Sequence, residues 1–210
     1  MQPTAEQFTE KAWAAIVAAQ QLAKTSRHQQ LETEHLLITL LQQQGLAGRI
    51  LNKAGADPSA FEADVETYLK RQPTMAAAPH SVFLGRSLNS LLDRAEEERL
   101  ALTDSYISIE HLMLAVARDE RCGRQLLRQA GLDVSKLREA IQAVRGSQTV
   151  TDQNPESTYE SLQKYGRDLT SAARAWPSIP SSREIRAAAW PTSRFASLVI
   201  RWVVTIFKNL

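Results

Sequence analysis

Two adjacent acid–histidine pairs are the first residues of this chain whose types suggest chemistry. Glu34 precedes His35, Glu110 precedes His111, and each pair stands directly before a run of apolar residues. Carboxylates and imidazoles bind zinc, but a zinc site on one helix needs ligands about four residues apart on the same face. Adjacent residues leave a helix in different directions, so this spacing does not predict a metal site. We expect each glutamate to interact with the positive end of a helix and each histidine to pack locally.

No other combination of residues is typical of an enzyme. Cys122 is the only cysteine, and although its neighbours Arg121 and Arg124 favour a lowered thiol pKa, no set of acyl-transfer partners accompanies it. The four histidines are scattered and support no Ser-His-Asp arrangement. The phosphate-binding pattern Gly-x-x-x-x-Gly-Lys-Ser/Thr is absent from the sequence. The prediction is therefore a non-enzymatic chain without ATP, metal or another cofactor.

The charge of the chain is unevenly distributed. The formal net charge is +2, but residues 171–210 carry six Lys/Arg and one acid, and the remainder carries 19 basic and 22 acidic residues. A mildly acidic body lacks the clustered basic face that pairs with phosphates, which argues against a nucleic-acid partner. A single cysteine cannot form an internal disulfide, and the N-terminus shows no basic-then-apolar leader, so we expect a cytoplasmic protein.

An internal repeat organises the body of the chain. The letters EHLL at 34–37 recur as EHLM at 110–113, and LNKAGADPS at 51–59 recurs as LRQAGLDVS at 127–135. Both matches have the same offset of 76 residues, which predicts a tandem duplication within one domain. The predicted domain spans residues 1–146. Its first copy covers residues 6–71, and its second copy covers residues 82–146.

Each copy is predicted to fold as four helices. A helical stripe opens the first copy, formed by Phe8, Ala12, Ala15, Ile16, Ala19 and Leu22. A second helix is predicted over 34–44 and ends at Gly45, a third covers 47–53, and Asp57 or Ser59 caps the fourth.

The second copy repeats this plan, with Ser108 as the N-cap of its second helix. No alternating run long enough for a strand is present in the body. The predicted fold class is all-α, an eight-helix pseudo-twofold tandem repeat of two four-helix units, followed by a linker helix and an irregular tail.

Three segments lie outside the predicted helices of the repeats. Residues 72–81 contain two prolines and are predicted to be a mobile linker between the copies. Residues 147–175 are predicted to be a linker segment with a short helix, and 176–210 a basic, aromatic tail. The apolar run at 195–210 is shorter than the about 20 residues of a spanning helix, so a disordered or aggregation-prone tail is favoured over an interfacial membrane anchor.

Several motifs resemble one known family. The paired repeats, together with FLGRSL at 83–88, YISIEHL at 106–112, VRGSQ at 144–148 and KYGRDLT at 164–170, resemble the Clp N-terminal repeat domain of ClpB-type AAA+ chaperones. The resemblance covers about residues 5–174. It implies a non-catalytic module that captures unfolded or aggregated polypeptide for a hexameric AAA+ ring in protein quality control and heat stress.

The resemblance also implies candidate binding residues. Thr9, Asp104 and Glu110 fall on positions that the family uses for substrate work, although helix capping and turn formation alone would explain all three. A binder of unfolded protein also needs an exposed apolar patch, for which Phe8 and Leu84 are candidates.

Two other functions remain open. Small Clp-N-like proteins also serve as stand-alone adaptors that bind a Clp protease core, and a pull-down of that core would distinguish this role. The other alternative is a non-functional frameshifted fragment. Residues 176–182 can be encoded by DNA that reads Leu-Ala-Ile-Asp-Pro-Val-Ile in another frame, which is close to what the family has at this place.

Overall fold

The computed structural model describes residues 3–146 and 148–155, and this part has the predicted all-α tandem repeat. Its eight α-helices are α1 (Glu10–Thr25), α2 (Thr33–Gln42), α3 (Leu46–Ala54), α4 (Pro58–Lys70), α5 (Arg86–Ala101), α6 (Ile109–Val116), α7 (Gly123–Gln129) and α8 (Val134–Arg145). A short 3-10 helix, Ala5–Gln7, precedes α1. The eight-helix fold class is thereby confirmed, whereas the predicted linker helix after residue 156 and the tail at 176–210 lie outside the described residues.

The structure also contains a small parallel sheet, which corrects the expectation that the body has no strand. β1 (Gln30–Leu31) pairs with β2 (Phe83–Leu84). A second parallel bridge joins Phe8 to Ile107. By the offset of 76 residues, Phe8 is equivalent to Leu84 of β2, and Ile107 is equivalent to Leu31 of β1. Two-residue strands are too short to produce an alternating sequence pattern, so periodicity could not reveal them. Each bridge joins the start of one repeat to the other repeat.

The core lies around two central helices, α2 and α6. Every residue of α6 is buried, and so is every residue of α2 except its last. A helix that is surrounded on all sides must be apolar nearly throughout, as the leucine-rich sequences of both helices are. The neighbour α1 packs against α2, and α5 packs against α6. Contacts between the repeats, α3 with α8 and α4 with α7, make one continuous core.

Helix boundaries follow the predicted capping residues, with one correction. Asp57 caps α4 by accepting a hydrogen bond from the Ser59 N–H at 3.0 Å, and Gly55 ends α3 with a φ of +95°. The second predicted helix ends at Gln42, earlier than expected. Gln44 has the left-handed φ of +48°, and Gly45 is the N-cap of α3.

Both connecting segments contact the folded body of the domain. In the linker at 72–81, which we expected to be mobile, the Met75 N–H donates to the Arg27 carbonyl at 2.9 Å and Pro79 is buried. In the connector after α8, Val150 is fully buried. Within the described residues, no helix combines the length and apolar character that crossing a membrane requires.

Candidate functional site

Two of the predicted site residues, Thr9 and Glu110, lie at the starts of α1 and α6. The Thr9 N–H donates to the Ile107 carbonyl at 2.9 Å, and the Thr9 hydroxyl caps α1 by accepting from the Ala12 N–H at 3.4 Å. Glu110 lies three residues after Ile107, in the first turn of α6. The capping role predicted for Thr9 and the helical position predicted for Glu110 are both confirmed. Leu84 lies in β2, shortly before α5, at the position equivalent to Phe8.

The expected exposure is wrong for Phe8 and correct for Leu84. Phe8 is 1% exposed and packs beside Trp13, with ring centroids 5.9 Å apart, because the bridge to Ile107 holds it inside the core. Leu84 is 37% exposed, and its neighbour Phe83 is 58% exposed. The exposure of Phe83 was not expected from the sequence, although its place beside Leu84 was the available signal.

The Asp104 carboxylate is fully engaged inside the second repeat. It accepts two hydrogen bonds from the Arg145 guanidinium, at 2.6 and 2.5 Å, and one from the Val150 N–H at 2.7 Å. The Ser108 N–H donates to His111 Nδ1 at 2.9 Å, so Nε2 carries the imidazole proton and donates to Asp104 at 3.0 Å. Burial alone would raise the pKa of Asp104, but these hydrogen bonds outweigh it and hold that pKa well below its usual value. Asp104 therefore ties the connector to the core and has no oxygen directed to the surface.

The equivalent network in the first repeat ends differently. His35 accepts from the Glu32 N–H at 3.1 Å and contacts His28 Nδ1 at 2.8 Å, so His28 stands where the second repeat has Asp104. Burial, opposed by Glu34, lowers the pKa of His35 to about 4. The Nε2 atom of His28 is buried without a hydrogen-bond partner. The residue is one of those lining a cleft of about 290 Å³.

An ion pair between a buried glutamate and a surface arginine joins the two repeats at the start of α2. Arg121 donates to both carboxylate oxygens of Glu34 at 3.0 Å, and also to Gln72 Oε1 at 3.1 Å. Glu34 is 1% exposed. The hydrogen bond with Glu34 raises the pKa of Arg121 above its usual value, so the guanidinium stays charged. Glu34 and Arg121 thus form a complete two-pronged pair of the kind that stabilises buried carboxylates.

Glu110, the counterpart of Glu34, has no such partner. It is 1% exposed, and both of its carboxylate oxygens are buried without a hydrogen-bond partner. The position equivalent to Arg121 in the first repeat is occupied by Gly45, which has no side chain to donate. A buried carboxylate without a partner costs several kcal/mol. The structure therefore contains one satisfied and one unsatisfied copy of the same acidic position.

The surroundings of Cys122 differ from those expected from its sequence neighbours. Cys122 is buried, and burial, reinforced by Glu34 and Asp119, raises the pKa of its thiol rather than lowering it as its arginine neighbours suggested. Within residues 3–146 and 148–155, no group of three or more potential ligands is placed to hold a metal ion.

Comparison with known proteins identifies the family. The family model of the Clp repeat (R) N-terminal domain matches residues 7–129. The chain is 67% identical over 197 residues to chaperone protein ClpB 1 of Parasynechococcus marenigrum, covering 92% of this chain and 23% of that protein. It is 52% identical over 198 residues to ClpB 2 of a Nostoc species, with the same coverage. The chain thus spans about a quarter of the length of these relatives.

Two solved structures share the fold. The N-terminal domain of Hsp104 from Candida albicans superposes with a TM-score of 0.66, is 24% identical, and covers 72% of this chain and 99% of that one. The N-terminal domain of the ClpV1 ATPase from E. coli has a TM-score of 0.59, is 24% identical, and covers 72% of this chain and 92% of that one.

The alignment with ClpB 1 extends beyond the repeats. Because 92% of the chain is more than the 175 residues that precede the tail, the aligned region reaches into 176–210. The boundary after residue 175 stays a prediction. Because the matching family model covers more than half of its residues, the chain belongs to the Clp repeat (R) N-terminal domain family, and it is similar to ClpB chaperones.

Proposed function

We propose that this chain captures unfolded or aggregated polypeptide for a ClpB-type disaggregating chaperone and catalyses no reaction itself. The family membership and the ClpB relatives support this proposal. The sequence contains no phosphate-binding loop, so the proposed contribution is binding, and ATP hydrolysis belongs to a different module.

One structural observation carries the proposal, the exposed apolar pair Phe83 and Leu84. Single exposed apolar residues are normal on protein surfaces, but these two large side chains are adjacent, 58% and 37% exposed. Within the described residues, β2 pairs only with β1. The N–H groups of Phe83 and Gly85 donate to the β1 side. The intervening Leu84 main chain therefore faces the other edge, where an extended polypeptide can add as a further strand.

The test replaces both apolar side chains. A Phe83→Ser/Leu84→Ser double variant should bind a fluorescently labelled, permanently unfolded protein roughly tenfold or more weakly, because two apolar contacts of about 1 kcal/mol each are lost. Binding is measured by fluorescence anisotropy, and circular dichroism confirms that the variant is folded.

The matched control is Leu100→Ser. Leu100 is 61% exposed but lies at the far end of α5, about 20 Å along that helix from β2. This variant should bind as the natural chain does. Unchanged affinity in the double variant, or an equal loss in Leu100→Ser, would refute β2 as the binding edge. A stable complex with a Clp protease core, without any binding of unfolded protein, would instead support the adaptor role.

A further inference from the structure

We propose that a surface around α7 binds an acidic segment of another polypeptide. Four arginines form this surface, which we call the arginine surface: Arg86, Arg94, Arg124 and Arg128. The inference goes beyond the capture of unfolded protein, because it concerns charged side chains rather than the apolar residues of β2. It stands or falls independently of that function.

Two adjoining clefts contain the arginine surface. The second of them, of about 380 Å³, is lined in part by Arg86 and Arg94 of α5, and Glu120 borders both clefts. The first, of about 550 Å³, lies along α7 and is lined by Glu120, Arg124, Gln125, Arg128 and Gln129. The four arginines therefore share one continuous, concave part of the surface.

The guanidinium groups of this surface are not used by the fold. Elsewhere in the second repeat an arginine pairs with a carboxylate, as Arg145 does with Asp104. Within residues 3–146 and 148–155, the side chains of Arg86, Arg124 and Arg128 make no hydrogen bond and no ion pair, and all three residues are exposed. Their charges are thus available to a partner without breaking any contact of the domain.

The acidic residues beside these arginines do not neutralise them. Glu32 and Asp119 line the second cleft, but both are buried and accept hydrogen bonds from main-chain N–H groups, at 3.2 and 3.0 Å. Arg94 donates to a main-chain carbonyl rather than to an acid. Of the acids that line the two clefts in the described part of the chain, Glu120 is the exposed one. The arginine surface therefore has a local excess of positive charge.

The spacing on α7 fits an extended acidic segment. Arg124 and Arg128 are four residues apart, which places them about 6 Å apart along the helix axis. In an extended chain, side chains on one face recur every second residue, about 6.7 Å apart. A guanidinium fork binds a carboxylate through two parallel hydrogen bonds. The amides of Gln125 and Gln129 line the same cleft and offer donors and acceptors to the main chain of the partner.

A nucleic acid fits this surface less well than a polypeptide does. Outside residues 171–210 the chain carries 19 basic and 22 acidic residues, so the surroundings of the arginine surface are mildly acidic. A long polyanion would extend beyond the four arginines and be repelled there. A short segment with glutamate or aspartate at alternate positions stays within the two clefts.

The experiment uses the whole chain and three labelled ligands. One peptide alternates glutamate with serine, a second has glutamine in place of every glutamate, and the third ligand is a single-stranded oligothymidylate. Fluorescence anisotropy measures the affinities at low ionic strength. We expect the glutamate peptide to bind roughly tenfold or more tightly than the glutamine peptide, and more tightly than the oligothymidylate. Added salt should weaken the binding of the glutamate peptide, because it screens exposed charges.

A matched pair of double variants tests whether α7 is responsible. Arg124→Gln/Arg128→Gln should weaken binding of the glutamate peptide roughly tenfold. The control, Arg49→Gln/Lys53→Gln, removes two positive charges at the same spacing from α3, the equivalent helix of the first repeat, and should bind the peptide as the natural chain does. Circular dichroism confirms that both variants are folded.

The outcomes separate this inference from the proposed function. Equal affinity for the glutamate and glutamine peptides, or an equal loss in the α3 control, would overturn the acidic docking surface. Tighter binding of the oligothymidylate would assign the arginines to a nucleic acid and overturn it as well. The Phe83→Ser/Leu84→Ser variant should still bind the glutamate peptide. If it does not, a single surface serves both ligands, and the inference of a second binding surface is wrong.

Discussion

At the scale of single residues, the residue at one equivalent position, His28 in the first repeat and Asp104 in the second, determines which groups join the polar network of that repeat. Asp104 and His28 are equivalent, and each is contacted by the histidine in the first turn of its central helix. In the second repeat the carboxylate accepts hydrogen bonds from Arg145 and from the main chain of Val150. These bonds hold the connector after α8 against the domain. In the first repeat a neutral imidazole has no such effect, and a cleft remains beside His28. Asp104 is for this reason a stabilising residue rather than a surface ligand.

Replacing Asp104 with asparagine should lower the free energy of unfolding by about 3 kcal/mol at pH 7, because the buried Arg145 guanidinium loses the carboxylate to which it donates two hydrogen bonds. The folded pKa of Asp104 lies below its usual value, so its contribution is fully present above about pH 4 and is lost as the pH falls toward the folded pKa. Urea unfolding of both chains between pH 7 and pH 3 measures the difference.

The control for this prediction is Asp64→Asn, which changes an exposed aspartate on α4 and should leave stability within about 0.5 kcal/mol. A stability difference between the natural chain and Asp104→Asn that is absent at pH 7, or that grows toward pH 3, would contradict the role given to this carboxylate.

At the scale of elements, the first helices of the two repeats, α1 and α5, are capped in different ways. The capping group of α1 belongs to the residue before the helix, whereas that of α5 comes from the other repeat, and we call this difference the exchange of caps. Thr9 caps α1 with its own hydroxyl, and its N–H donates to the carbonyl of Ile107, the residue before Ser108. At the equivalent corner, Gly85 precedes α5, and the carboxylate of Glu32 lies where a side chain of residue 85 would be and accepts from the Leu88 N–H at 3.2 Å. The backbone at Gly85 has φ −74° and ψ 158°, an extended conformation open to any residue. Glycine is therefore needed for the close approach of Glu32 and not for its backbone freedom.

Substituting Gly85 with alanine should cost about 1–3 kcal/mol, because its Cβ would lie 2.6 Å from Glu32 Oε2 and closer still to Cδ. The displaced carboxylate also leaves the first turn of α5 without its acceptor. Thermal and urea unfolding measure the loss.

A double variant that transfers the residue types of the α1 cap to α5 makes this test more specific. The double variant Gly85→Thr/Glu32→Ser recreates the Thr9 and Ser108 pair, and should be more stable than Gly85→Ala because the threonine hydroxyl caps α5. If Gly85→Ala is as stable as the natural chain, or if the double variant is the least stable of the three, the exchange of caps is refuted.

The elements were predictable from the sequence to different degrees. Helical spacing and capping residues such as Asp57 and Ser108 placed all eight helices, because these signals act within a few residues. Phe8 was assigned to a helical stripe, yet it lies before α1 in a bridge to Ile107, because tertiary pairing overrode local periodicity. The pairs of Asp104 with Arg145 and of Glu34 with Arg121 span 41 and 87 residues, a separation that local patterns do not encode.

At the scale of the whole molecule, the repeats are interleaved rather than placed side by side. The third helix of the first repeat, α3, packs against α8 and α6 of the second, while α2 packs against α5 and α4 against α7. The two bridges and the Glu34–Arg121 pair also cross between the repeats. Separating the two repeats would expose most of the core that they share. Neither copy therefore has a complete apolar interior of its own.

A cavity made in one repeat should therefore destabilise both. Ile50 is fully buried in α3, and Ile50→Ala should lower the free energy of opening by about 2–5 kcal/mol. Hydrogen exchange measured by mass spectrometry should show the same loss of protection in α2, which belongs to the altered repeat, and in α6, which does not. Asn52→Ala, an exposed change in the same helix, should alter neither. Protection that falls in α2 and persists in α6 would mean that the repeats open independently, and the interleaved packing would then be insufficient to make the domain a single cooperative unit.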